Sequence, residues 1–172
     1  MTIARNGQII ADAVIQPIKK SGVTGYVKFM QNKENAPTII TGQIRGLSPG
    51  KHAFHIHEHG DLSRDCLAAG PPYNPINETH GGPLNRMRHV SNLGNVFANV
   101  NGIATIYITA PLIQLRGPIS VIGRTIVVHM NSDDLGLGTT EAQATSQLTG
   151  NAGQRIGCGV IKRRFGYRNM PH

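Results

Sequence analysis

Apolar and polar positions alternate along much of this chain, and the alternation predicts strands. Within residues 25–30, Val27 and Phe29 share one face while Lys28 takes the other. The same reading predicts strands over residues 7–16, 37–47, 52–59, 94–100, 103–109, 119–129 and 155–161. Turn residues punctuate them: Lys19-Lys20-Ser21-Gly22, Ser48-Pro49-Gly50, and Asn101-Gly102, the dipeptide best suited to a type I′ hairpin. The alternation stops over residues 60–92 and 130–154. Loops that long inside a compact domain are usually functional, and the first holds two histidines and a cysteine. The expectation is a single all-β domain over residues 1–172: eight antiparallel strands in a sandwich or flattened barrel, no helix, and two long functional loops. Its core would span residues 8–162, with residues 163–172 a basic tail.

Composition agrees with that picture. Among 172 residues there are 21 Gly and 10 Pro, aromatics are 5%, and Trp is absent, so turns are many and large rings few. The formal net charge of +8 attracts anions of any size. Apart from Lys162-Arg163-Arg164 with Arg168 near the C-terminus, the basic residues are scattered, which reads as a solvated end. No zinc-finger, helix-turn-helix or stacked-aromatic signature points to nucleic acid. No apolar run of 18 residues predicts a membrane span, and Met1 to Asn6 carry no apolar secretory core, so the expected location is cytoplasmic. In that compartment Cys66 and Cys158, the only two cysteines, would be thiols.

The chemistry concentrates in Phe54-His55-Ile56-His57-Glu58-His59. In an extended strand His55 and His57 fall on one face, the spacing of a chelate. Beyond it come Gly70-Pro71, Asn74-Pro75, His80-Gly81-Gly82-Pro83, His89-Val90 and Leu93-Gly94-Asn95. Further on stand Thr125-Ile126-Val127-Val128-His129, Asp133-Asp134-Leu135-Gly136 and Gly150-Asn151-Ala152-Gly153-Gln154-Arg155. In this order the blocks resemble the copper-zinc superoxide dismutase family over residues 8–162.

The resemblance implies a Greek-key fold and assigns residues. His55, His57 and His129 match the copper ligands, and three imidazoles with an open position suit a copper that changes oxidation state. His80 and His89 match zinc ligands. Two positions depart from the family: Pro72 stands where a histidine bridges both metals, and Asn92 stands where an aspartate binds zinc. The zinc site is thereby weakened. Asp133 matches the carboxylate that orients one histidine of each metal. On its own, an Asp in Asp133-Asp134-Leu135-Gly136 reads equally as a turn former. The resemblance also implies a Cys66–Cys158 disulfide, against the thiol expectation above.

For activity, the resemblance implies disproportionation of superoxide to oxygen and hydrogen peroxide. Arg155 matches the arginine that holds the anion beside copper, and Thr149 a residue that narrows the channel. Leu148 stands where a lysine often guides substrate, and Glu141 where an acidic pair is common. Pro72 cannot carry the proton usually assigned to the bridging imidazole, so water must supply it. A homodimer is implied through Gly60-Asp61 and Ile122-Gly123, although His59 stands where an apolar ring is usual. The rival reading is a non-catalytic relative that buffers copper or docks a partner. The retained histidines, Asp133, Arg155 and both cysteines favour the enzyme.

Overall fold

A computed structural model describes residues 7–86 and 88–165. The strands are β1 (Ile9–Pro17), β2 (Thr24–Gln31), β3 (Thr38–Arg45), β4 (Gly50–His57), β5 (Asn92–Ala98), β6 (Ala104–Ala110), β7 (Thr125–His129), β8 (Arg155–Val160) and β9 (Lys162–Arg163). All pairings are antiparallel, in the order β2-β3-β6-β5-β4-β7-β8-β1-β9. A full β1–β2 ladder, from Ile9↔Gln31 to Ile15↔Gly25, turns this sheet into a closed barrel. The β3–β6 and β4–β7 neighbours skip intervening strands, which is the Greek-key connection the family resemblance implied.

Inward residues of the alternating strands fill the barrel. Ile15, Phe29, Ile40, Ile44, Phe54, Ile56 and Ile126 are all fully buried there. On β2 the outward Tyr26 stays exposed, as alternation requires. β4 and β7 differ, because from His52 to His57 and from Thr125 to His129 both faces are buried. The two long loops cover their outer face, which lets polar imidazoles be enclosed outside an apolar core.

Three details depart from the expectation. A short helix, α1 (Gln143–Thr149), lies in the second long loop. Its Thr-rich sequence has no amphipathic spacing, and tertiary bonds hold it: Ser146 Oγ donates to Asp134 Oδ1 at 2.7 Å, and Asn151 Nδ2 donates to Asp134 Oδ2 at 2.6 Å. Secondly, the β5–β6 hairpin is not a type I′ turn. Gly102 has φ 72° while Asn101 does not take positive φ, and the Gly102 amide donates to the Asn99 carbonyl at 2.9 Å. That is a type I turn closed by a left-handed glycine bulge. Asn99 Oδ1 stabilises it by accepting from the Asn101 and Ile103 amides. Thirdly, Lys162 and Arg163 pair with Asp12 and Ala11 as β9, and Arg164 Nε donates to Asp12 Oδ2 at 2.6 Å. Arg168 lies outside the described residues.

Candidate metal centre

His55 and His57 lie on the outer face of β4, and His129 ends β7, the strand paired beside it. Register shifts sit at both places, between Ala53 and His55 on the β4–β5 ladder and between Val128 and His129 on the β7–β8 ladder. Such irregularities re-aim side chains, and here they turn imidazoles toward one point. Candidate ligand atoms of His55, His57 and His129 all fall within 4.8 Å of one another.

Hydrogen bonds on the far side of each ring fix which nitrogen faces inward. His57 Nδ1 donates to the Gly70 carbonyl at 2.8 Å and His129 Nδ1 to the Gly153 carbonyl at 3.1 Å. A carbonyl only accepts, so each Nδ1 carries the proton and each Nε2 presents a lone pair. Those two Nε2 atoms face each other at 3.2 Å. Two lone pairs so placed repel unless a proton or a metal ion lies between them. Burial and then the Arg155 charge push His57 well below its ordinary pKa. His129 is held down to about 3, chiefly by burial. Protons are therefore disfavoured, and a cation that accepts imidazole nitrogen is the fitting occupant.

Asp133 joins the His55–His57–His129 cluster to the His80–His89 pair. Its carboxylate receives His55 Nε2 at 2.6 Å and His80 Nε2 at 2.7 Å, leaving Nδ1 of both rings buried without a partner. Burial alone would raise the Asp133 pKa, but the two histidine bonds outweigh it and hold the carboxyl well below the usual range. Asp133 is thus an ionised clasp. Two residues of the quoted blocks whose roles the sequence did not reveal support it. Asn95 brackets the Asp133 main chain, donating to its carbonyl at 3.0 Å and accepting from its amide at 2.6 Å. Gly150, at φ 64°, lies where a Cβ would stand 1.9 Å from Asp133 Oδ1 and 2.4 Å from His80 Nε2. Only glycine fits.

His89 meets His80 edge-on, with ring centroids 5.3 Å apart, and its Nδ1 is also buried and unpartnered. Burial first, then the neighbouring imidazoles, lowers its pKa to about 4. Here the donor set stops. Pro72 lies beside His57 in an antiparallel bridge and carries no donor atom. The bridge tolerates proline because its flanking bonds use the Pro71 carbonyl and the Tyr73 amide, not an amide at position 72. Asn92 offers no anion. The position expected for copper has three imidazole donors, whereas the one expected for zinc retains only His80 and His89 and does not fit a four-ligand zinc site.

Arg155 begins β8 and lines the same cleft as His57, His129, Pro72 and Thr149. Its Nη1 donates to the Cys66 carbonyl and its Nη2 to the Gly70 carbonyl at 2.5 Å. Gly70 O therefore anchors both Arg155 and His57. Gly70 has φ 76° and ψ −159°, backbone that only glycine adopts readily. The Cys66–Cys158 disulfide ties this loop to β8, so the thiol expectation gives way to the family's pairing. Thr149 lies on the cleft wall, while Leu148 and Glu141 are exposed. Gly60 packs against Gly123, where a Cβ would meet the Gly123 carbonyl at 2.2 Å, so the segments expected at a dimer contact lie together. His59 and Asp61 beside them are exposed. No described helix is long and apolar enough to cross a membrane.

Residues 23–161 match the family model described as copper/zinc superoxide dismutase. An extracellular superoxide dismutase [Cu-Zn] of Onchocerca volvulus is 48% identical over 156 residues, covering 91% of this chain and 77% of that protein. A second protein of that organism, named superoxide dismutase [Cu-Zn], is 48% identical over 86% of this chain and 93% of its own length. The Saccharomyces cerevisiae protein of the same name is 49% identical over 82% of this chain and 90% of its own length.

Proposed function

Since the chain belongs to the copper/zinc superoxide dismutase family, we propose that it disproportionates superoxide to oxygen and hydrogen peroxide at copper held by His55, His57 and His129. The observation that carries this reading is the convergence of three imidazole nitrogens beneath Arg155 in one open cleft. Copper held by His55, His57 and His129 would supply the one-electron redox chemistry that disproportionation needs. The protein supplies position and charge. Two of the five guanidinium donors of Arg155 are tied to the Cys66 and Gly70 carbonyls, which fixes the plane. The remaining donors present a positive fork to a small anion in the cleft. Asp133 holds the His55 ring, and the Gly70 and Gly153 carbonyls hold His57 and His129, so the donor atoms are fixed before an ion arrives. Pro72 has no proton to give, so water entering the cleft provides the protons that peroxide needs.

Loading the protein with copper and measuring superoxide consumption and peroxide yield tests the proposal. Activity that disappears in Arg155→Ala and His129→Ala supports it. Copper bound at these histidines without dismutation would favour the non-catalytic reading. The same proposal includes a homodimer through the Gly60-Asp61 and Ile122-Gly123 face, and a monomeric mass by light scattering at micromolar concentration would count against it. It also includes a cytoplasmic location. Relatives named extracellular set the alternative, and cell fractionation decides between them.

A further inference from the structure

Asn92 is buried at the start of β5, and each of its amide atoms is committed to the protein's own backbone. Nδ2 donates to the Gly81 carbonyl at 2.5 Å, and Oδ1 accepts the Gly94 amide at 2.8 Å. Exchanging the amide's oxygen and nitrogen would set oxygen against oxygen and N–H against N–H, so this orientation is the only satisfied one. Nδ2 lies 3.0 Å from His80 Nε2, the edge bonded to Asp133, and not at the open Nδ1. The Asn92 main-chain amide also donates to the His89 carbonyl at 3.2 Å. One residue thereby gathers the segments bearing His80 and His89.

Gathering those two segments is the structural task that an ion shared by His80 and His89 would perform. A carboxylate at position 92 could not do it, having no proton to give the Gly81 carbonyl. We propose that Asn92 is a hydrogen-bonded staple standing in for zinc, and that copper is the only metal this chain holds tightly. The inference rests on the family reading only for naming zinc as the displaced ion. Pro72 completes it, because the imidazole that would tie a second ion to the copper side is gone.

The test uses metal-free full-length protein. Wild type supplied with copper and zinc and dialysed against a weak chelator should retain copper and lose zinc. Cobalt(II) should give no tetrahedral visible band. Metal-free Asn92→Asp, nearly isosteric but without the donor to Gly81, should melt lower by roughly 3 to 8 °C and gain a melting shift with zinc. Asn92→Ala, which loses both bonds, should melt lower too and gain no zinc response. Stoichiometric zinc or a tetrahedral cobalt band in wild type overturns the proposal, whether or not a variant folds. Unchanged melting in both variants also overturns it. No readout involves dismutation, so a failure of the proposed enzymatic function leaves this result standing, and the reverse.

Discussion

The copper-side trio and the His80–His89 pair share Asp133, yet they are held by different means. His55, His57 and His129 stand on paired strands, and backbone carbonyls or the shared carboxylate lock each ring. His80 and His89 stand on a loop with little regular structure, whose order comes from Asn92, the His80 amide bonded to the Gln147 carbonyl, and the Asp133 clasp. A site built on a sheet keeps its geometry when neighbouring residues change. A loop-borne site depends on whichever residue gathers the loop, and here that is an amide. The difference explains how the loop-borne side can lose two ligand positions while the sheet-borne side loses only the shared one and keeps its own three imidazoles.

Breaking the shared scaffold should have the largest effect. Replacing both Cys66 and Cys158 with Ser removes a link spanning 92 residues, worth roughly 4 kcal/mol on the chain-entropy view, and frees the loop whose Cys66 carbonyl anchors Arg155. Denaturant unfolding of the double variant measures the loss. Thiol titration of freshly purified, unreduced protein should find none, and two titratable thiols would sink the disulfide.

Breaking only the copper side comes next. His129→Ala should weaken copper binding by roughly 100-fold or more, beyond the usual cost of losing a ring's hydrogen-bond partner. It should leave zinc affinity near its already low value. Competition against a chromophoric copper chelator reads this, and unchanged affinity would mean the site is misplaced.

Rebuilding the zinc side sharpens the contrast from the other direction. Pro72→His should raise zinc affinity by roughly 10 to 100-fold and raise the dismutation rate. Adding Asn92→Asp should raise zinc affinity again while lowering metal-free stability. The bridge geometry permits the first change, since no amide bond is missing at position 72. Isothermal titration with zinc follows both steps. If the double variant binds no more zinc than the parent, the loop does not present His80 and His89 as described.

The smallest effect is graded with pH. His129 is held down to about 3 in the folded chain, chiefly by burial, against an ordinary value near 6.5. The unfolded chain therefore takes up this proton more readily. The stabilising contribution is fully present above about pH 6.5 and is lost as pH falls toward the folded value, at about 1.4 kcal/mol per unit. Urea midpoints of metal-free protein between pH 7 and 4 should fall. Midpoints of His129→Ala should fall less steeply.

Legibility from the sequence followed the range of the interactions. Alternation in residues 25–30 found β2 because a half-buried strand sees only its own two faces. His55 and His57 were visible as a chelate because strand geometry alone sets them on one side. Helix α1 is not legible in its own segment, because its support comes from Asp134, outside it, and not from its own propensity. The strand expected to begin at residue 119 begins at Thr125, after the turn in which the Val121 amide donates to the Gln114 carbonyl. The Asn101-Gly102 pair marks the place of the turn but not its type, since the side-chain bonds of Asn99 select the bulged form.

By itself the sequence determined the all-β alternation, the placing of His55 and His57 on one strand face, and the residue types proline and asparagine at positions 72 and 92. Each of these is a property of residue type or of spacing within one strand. Only the tertiary structure decided that His57 and His129 turn lone pairs toward one another, that Asp133 clasps His55 and His80, and that Gly150 leaves room for it. It alone decided that Asn92 bonds backbone rather than facing an ion. The physical reason is directional: a hydrogen bond fixes which atom of a ring or amide faces inward, and its partners here stand from 2 residues away, for Asn92 and Gly94, to 78, for His55 and Asp133.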